Sequence, residues 1–400
     1  MEINTDAQKI EEILTRSVDT IYPTKEKFED LLKSGKQLRI YTGIDATADY
    51  VHLGHSTNYI MLKRLHELGH KIIVLVGDFT AMVGDPTDKT SARVQLTKEQ
   101  VLENSKTFKE QIGKILDFEN TENPIEFKFN SEWLEKMSFK DVVELASHFT
   151  VQQMLERDSF EKRIEDSKPL YVHEFFYPLM QGYDSVELEV DVEIGGTDQT
   201  FNMLAGRTLL RQYKNKEKIV VTGTLLENPV TGEKLMSKSL GTGIGLNEEP
   251  NEIFGKVMAL PDEAIAQCFE GCTYLPMSEI ETIKQQMKNG ENPRDFKMQL
   301  AETIVKMYYG DSEAGNAKEY FINTFAKKQT PEQIPELKPT ENNIIVVLLE
   351  AGFVKSSSDA RRAIEQGGVR VNEEKIDDFK YEVKIGDIIQ KGKRFFVKII

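Results

Sequence analysis

Cysteine is nearly absent from this chain of 400 residues: Cys268 and Cys272 are the only two, in a stretch with helical spacing and with no other Cys or His beside them. That excludes a disulfide framework and a zinc site, and fits two reduced thiols in a cytosol. Long apolar runs are missing as well, none approaching the roughly 20 residues that a membrane-spanning helix needs. The opening MEINTDAQKIEEILTR is charged from its second residue and lacks an apolar signal core, so a cytoplasmic protein without a membrane partner is expected. Positive charge is short too. A formal net charge of -15 repels phosphate backbones at long range, so any nucleic-acid site has to be local. Residues 341–400 are the least acidic part, with eleven Lys and Arg against ten Asp and Glu. Histidine numbers six, and two of these stand three positions apart in YTGIDATADYVHLGH, Tyr41 to His55.

Length is what the chain does have, and 400 residues are too many for one hydrophobic core, so two or three domains are expected. From Leu38, LRIYTGID reads as a short strand, followed by a turn-rich loop and a helix whose apolar positions are Tyr59, Leu62, Leu65 and Leu68, closed by Gly69. KIIVLVGDFT then reads as a strand buried on both faces. Thr97 and Gln100 form a capping box before a helix carrying Val101, Ser105, Phe108, Ile112 and Ile115, IEFKFN alternates like a strand, and EKIVVTGTLL returns to a buried-strand pattern. Strands alternating with helices predict an α/β fold, a Rossmann-like doubly wound parallel sheet over residues 1–225 with a helical insertion at about 97–185. Residues 226–248 form a loop segment, and 249–328 an α-helical domain. There Ser278 and Glu281 predict a second capping box, and Phe296, Leu300, Ile304 and Met307 a stripe. A proline-rich linker at 329–340 precedes a small α+β domain at 341–400.

In an open parallel sheet a ligand sits outside the carboxyl ends of the strands, where TGID…HLGH falls. Gly43 and Gly54 leave room for contact with backbone. His52 and His55 stand near a helix N-terminus that favours phosphate. A second glycine-flanked segment, GEKLMSKSLGTG, holds Lys234, Lys238, Ser237 and Ser239 after the last strand of the same sheet. Each motif alone reads more readily as a solvated turn. Together, H-x-G-H and M-S-K-S resemble the signature pair of the class I aminoacyl-tRNA synthetases.

YPLMQGYDSVELEVDVEIGGTDQTFN, YTGID and VGDFTAMVGDPTDKTSAR resemble the tyrosyl group of that family over nearly the whole chain. The resemblance implies that Tyr41 and Asp184 hold a substrate phenol, while Asp85, Tyr177 and Gln181 hold its ammonium group. It implies ATP contacts at Gly43, Asp45, Thr47, His52, Gly54, His55, Gly196, Asp198, Gln199 and Lys238, with Lys89, Arg93, Lys238, His52 and His55 stabilising charge on the leaving pyrophosphate. Mg²⁺ would accompany ATP, with no protein-built metal site. The implied partners are L-tyrosine, its cognate tRNA and a second copy of the chain. One departure stands out: the loop signature usually opens with lysine where Leu235 stands, and Lys234 lies one residue earlier. Either Lys234 reaches round or Lys238 carries the loop's contribution alone.

SSSDARRAIEQGGVRVNEEKI, Ser356 to Ile376, resembles the compact RNA-binding module of a ribosomal small-subunit protein. That implies phosphate contacts from Arg361, Arg362, Arg370, Lys391, Lys393 and Arg394. The competing readings are the tryptophanyl relative, another adenylate-forming nucleotidyltransferase, and a non-catalytic RNA-binding descendant. Asp184, Tyr41 and the tail speak against the first two, and His52, His55 and Lys238 against the last.

Overall fold

A computed structural model describes residues 2–86, 96–236, 242–326, 334–392 and 395–400. Its two units, Met1–Gly315 and Asn316–Ile400, each have a core of their own.

The first unit is built on six strands: β1 (Val18–Tyr22), β2 (Arg39–Asp45), β3 (Lys71–Gly77), β4 (Glu126–Phe129), β5 (Val192–Gly196) and β6 (Ile219–Gly223). They lie in the order β1-β6-β5-β2-β3-β4. Neighbours among β2 to β6 run parallel, and β1 pairs antiparallel with β6. Every residue of β3 after Lys71 is buried, the reason its sequence is an unbroken apolar run. β1 is the difference from expectation: VDTIY buries only Ile21, so an edge strand this polar gives no apolar signal and turns the sheet mixed. β4 arises from IEFKFN, so the sheet reaches into the stretch expected as a helical insertion.

The chain leaves β2 for β3 and β4 on one side, then crosses back to β5 and β6 on the other. That reversal opens a crevice at the carboxyl ends of β2 and β5. The helix Leu53–Glu67 starts just beyond β2, and Tyr59, Leu62, Leu65 and Leu68 are all buried. Each such burial is worth roughly 1.5–3 kcal/mol, which fixes the helix and with it the position of its first turn. The Thr97–Gln100 capping box forms as expected. The box at Ser278 and Glu281 does not. The helix Met277–Lys288 begins behind Pro276, whose φ of -56° is already helix-compatible, so Ser278 falls inside the first turn.

In the second unit β7 (Glu336–Leu337), β8 (Val369–Val371), β9 (Glu374–Lys375), β10 (Ile388–Lys391) and β11 (Phe395–Ile399) lie in the order β7-β11-β10-β8-β9. The helices Ile344–Glu350 and Ser357–Glu365 bury Ile344, Leu348, Ala360 and Ile364 against Val369, Ile389 and Val397. Glu336–Leu337 lies within the stretch expected as linker and pairs in parallel with Lys398 and Ile399. Two residues carry no periodicity from which a strand can be read.

Candidate active site

A cavity of about 930 Å³ opens where the chain reverses. Tyr41, Gly43, Asp45, Thr47, His52, Gly54, His55, Asp85, Tyr177, Gln181, Asp184, Gly196, Asp198 and Gln199, separated widely in sequence, all line it. Lys89, Arg93 and Lys238 lie outside the described residues. At Gly43 an added Cβ would meet nothing within 4 Å, so the strand offers bare backbone to the cavity.

His52 is the N-cap of the helix Leu53–Glu67, and its backbone N–H donates to His55 Nδ1 at 3.1 Å. A neutral His55 ring therefore carries its proton on Nε2. The two rings stack with centroids 3.6 Å apart. Gly54 fits closely between them: a Cβ there would lie 3.0 Å from the His52 ring and 3.2 Å from Met236 Cβ, so a larger residue would push the ring aside. The Leu53 N–H donates to the Ile244 carbonyl at 2.9 Å, and the Leu246 N–H to the Val51 carbonyl at 2.7 Å. The backbone that follows the M-S-K-S segment is thus stitched to the H-x-G-H turn.

Ahead of that segment the chain doubles back. The Leu235 N–H donates to the Leu226 carbonyl at 2.9 Å, and the Asn228 N–H to the Glu233 carbonyl at 2.8 Å. Alternation along this paired stretch buries Leu235 and brings Lys234 to the cavity, where its Nζ lies 3.4 Å from Asp198 Oδ2. The displaced lysine is therefore at the site, and Leu235 fills core instead.

At the other end Asp184, on the helix Tyr177–Glu187, accepts from Trp133 Nε1 at 2.8 Å and from Asn130 Nδ2 at 3.3 Å. Burial lifts its carboxyl well above the ordinary range, against the pull of those two donors. Tyr41 is also buried, and its hydroxyl lies 2.9 Å from Ser185 Oγ. Between the two ends, Tyr177 donates to Asp45 Oδ2 at 2.9 Å, and Thr80 to Asp45 Oδ1 at 2.7 Å. Asp85 pairs with Arg157 at 2.6 Å and accepts from Gln199 Nε2 at 2.7 Å. Two carboxylates thus bracket the Tyr177 phenol, and burial together with their charge lifts its pKa well above the ordinary range.

The family described as tRNA synthetases class I (W and Y) matches residues 33–326, and the S4 domain matches 344–389. The tyrosine–tRNA ligase of Carboxydothermus hydrogenoformans is 48% identical over 97% of each chain, and that of Haemophilus influenzae is 43% identical over 99% of this chain and 98% of its own. The chain belongs to the tyrosine–tRNA ligases. Among solved structures, the C-terminally truncated mitochondrial tyrosyl-tRNA synthetase of Aspergillus nidulans is similar with a TM-score of 0.66 at 22% identity, covering 78% of this chain and 92% of its own. The tyrosyl-tRNA synthetase of Archaeoglobus fulgidus complexed with L-tyrosine follows at 0.60 and 21%, covering 78% and 99%. At these identities the likeness is one of fold.

Placed within this tyrosine–tRNA ligase family, the site contains residues that sequence reasoning missed. Thr80, Asn130 and Glu193 line the cavity. Asn130 follows β4 and Glu193 lies on β5, so neither carries a local motif. In the S4 unit Arg361, Arg362 and Arg370 are exposed, with Arg362 3.7 Å from Asp359 and Arg370 donating to the Glu373 carbonyl at 3.0 Å. Lys391 donates to the Phe353 carbonyl and lies over the Phe395 ring, which ties it to the fold rather than to a ligand. Lys393 and Arg394 lie outside the described residues.

Proposed function

We propose that the cavity activates L-tyrosine with ATP and that the chain then passes the tyrosyl group to its cognate tRNA. The observation that carries this reading is the pairing of a polar, desolvated pocket at Tyr41 and Asp184 with a histidine-lined helix N-terminus in one cavity. A phenol donates its proton to Asp184 and accepts one from Tyr41. Phenylalanine leaves the Tyr41 proton and the cavity-facing lone pair of Asp184 unmatched in a dry pocket, a penalty of about 1–3 kcal/mol for each group left unsatisfied. Asp85, Tyr177 and Gln181 hold the ammonium group, and the tyrosine carboxylate then faces the histidines across the same cavity.

That carboxylate attacks the α-phosphate, forms the mixed anhydride and expels pyrophosphate. The protein's part is positioning and charge stabilisation, with no covalent enzyme intermediate. His55 Nε2–H and His52 donate to the phosphates, joined by Lys234, Lys238, Lys89 and Arg93, while Asp198 accepts from ribose hydroxyls. Mg²⁺ comes on the phosphates of the nucleotide; among the described residues no three His, Cys, Asp or Glu are grouped to hold a metal. The terminal ribose hydroxyl of tRNA then attacks the anhydride carbonyl and releases AMP.

In the S4 unit, Arg361, Arg362, Arg370, Lys393 and Arg394 meet RNA phosphates. A homodimer is supported by apolar side chains exposed on the insertion, Phe139 at 84%, Val151 at 66% and Val172 at 75%. The cytoplasm is the compartment that fits; among the described residues no helix is long and apolar enough to cross a membrane. The test is ATP–pyrophosphate exchange by the purified chain. Exchange dependent on tyrosine is expected, and exchange that ran equally well with phenylalanine or tryptophan would reject the reading.

A further inference from the structure

Beneath Tyr41 lies an ion pair that none of the chemistry above uses. Lys218, just ahead of β6, is fully buried, and its Nζ pairs with the equally buried Glu193 carboxylate on β5. The same ammonium donates to Ser185 Oγ at 2.8 Å, and Ser185 Oγ lies 2.9 Å from the Tyr41 hydroxyl. Room for the ammonium exists because residue 206 is glycine: a Cβ there would lie 2.5 Å from Lys218 Nζ and 2.8 Å from Ser185 Oγ. Replacing a buried ion pair by apolar side chains of similar volume is often neutral or stabilising, so stability alone is a weak reason for one here.

Proton counting supplies a better reason. Ser185 has a single proton and two acceptors within reach, Tyr41 Oη at 2.9 Å and Glu193 Oε2 at 3.3 Å. Glu193 already accepts from the Lys218 ammonium at Oε2 and from Gln181 Nε2 at Oε1, 3.2 Å away, and Ser185 Oγ itself accepts from that ammonium. The Ser185 proton therefore goes to the nearer oxygen, and the Tyr41 proton is left to point elsewhere. Burial and the nearby Glu193 charge hold the Tyr41 phenol well above its ordinary pKa, so that it keeps a proton to give.

We propose that Lys218, Glu193 and Ser185 are positioning residues that set the direction of the hydrogen-bond chain from Lys218 through Ser185 to Tyr41, so that Tyr41 faces the cavity as a donor. This rests on the reading that Tyr41 meets the substrate phenol. With Tyr41 fixed as donor and Asp184 as acceptor, the pocket demands one group that both accepts and donates, which a phenol does and a phenyl ring or an ether does not. Were the chain reversed, Tyr41 and Asp184 would both be acceptors, and a phenol has only one proton for the two.

The test is a double-mutant cycle on the full chain, with KM for tyrosine, KM for ATP and the tyrosine-to-phenylalanine ratio read from pyrophosphate exchange, and folding read by thermal melting. Ser185→Ala is expected to raise KM for tyrosine about fivefold to tenfold, with KM for ATP and phenylalanine exchange unchanged, as for loss of one oriented hydrogen bond. In a Tyr41→Phe background the same substitution is expected to do nothing more, because it acts only through the Tyr41 hydroxyl. Lys218→Met alone strands Glu193 and can unfold the chain, so Lys218→Met with Glu193→Gln is the companion variant; because Glu193 Oε1 also accepts from Gln181 Nε2 at 3.2 Å, it is expected to lose tyrosine selectivity as Ser185→Ala does and to raise KM for both amino acids besides. The proposal is overturned if Ser185→Ala leaves tyrosine selectivity unchanged, or if its effect persists at full size in the Tyr41→Phe background. If Tyr41→Phe by itself leaves selectivity intact, the Tyr41 contact is what fails, and that outcome is distinguishable from the others.

Discussion

Asp184→Asn separates recognition from stability. The carboxylate is buried and holds two donors, Trp133 Nε1 at 2.8 Å and Asn130 Nδ2 at 3.3 Å, so an amide of the same shape keeps the Trp133 bond through its oxygen and turns its Nδ2 toward the Asn130 donor, losing that bond. What it loses is an acceptor strong enough for the substrate phenol proton. A hydrogen bond to a charged group contributes about 1.5–3 kcal/mol, so kcat/KM for tyrosine should fall about 10- to 150-fold. Phenylalanine has no such proton and should be unaffected. The effect on stability should depend on pH. Burial lifts the Asp184 pKa, so ionising this carboxyl opposes folding. That cost is absent below the ordinary carboxyl pKa of about 4, grows as pH rises through that value, and levels off above the lifted one. Asparagine has no proton to lose. The stability of the variant relative to wild type should therefore rise as pH is raised from about 4 to 7 and be pH-independent below about 4, whatever fixed cost the lost Asn130 bond adds. Pyrophosphate exchange with both amino acids and melting curves across pH decide the matter. Equal losses for tyrosine and phenylalanine, or a melting difference between variant and wild type that does not change from about pH 4 to pH 7, would refute the reasoning.

Three further outcomes are expected. Gly54→Ala puts a methyl 3.0 Å from the His52 ring; a misplacement of this kind should cost about tenfold in exchange rate while circular dichroism stays unchanged. Lys234→Ala removes a partly exposed ion pair with Asp198, so melting should shift by less than about 1 kcal/mol while KM for ATP rises and KM for tyrosine holds. Removal of residues 334–400 should leave adenylate formation intact and weaken tRNA charging, most at raised salt. The cut belongs before Glu336, because Glu336 and Leu337 pair with β11, and charging left unchanged by the deletion would reject an RNA-binding role.

The sheet centre and the nucleotide side of the cavity were legible because their signals are local. β2, the histidine turn and the glycine pair at Gly195 and Gly196 each occupy one short stretch whose spacing shows on inspection. Asn130 and Trp133 were not legible. They reach Asp184 only because β4 pairs beside β3, a fact of sheet order that no run of residues records. Lys218 was hidden differently: a lysine at the head of a strand reads as a polar boundary, and only the gap left by Gly206 makes it a buried cation. Register decided the case of Lys234 and Leu235, since pairing of the turn sends alternate side chains to opposite faces and sequence alone leaves open which faces the cavity.

The hydrogen bonds joining Val51 and Leu53 to Ile244 and Leu246 behave as a clasp between two parts of the chain that are remote in sequence. Continuity of the polypeptide is therefore not what keeps the histidine turn beside the loop segment. A nick in the exposed stretch around Lys168 would leave β2 with its histidines on one fragment and β5, β6 and the loop segment on the other, still held by the clasp and by the pairing of β2 with β5. The nucleotide half of the site is thus built from two stretches of chain whose juxtaposition rests on non-covalent contacts.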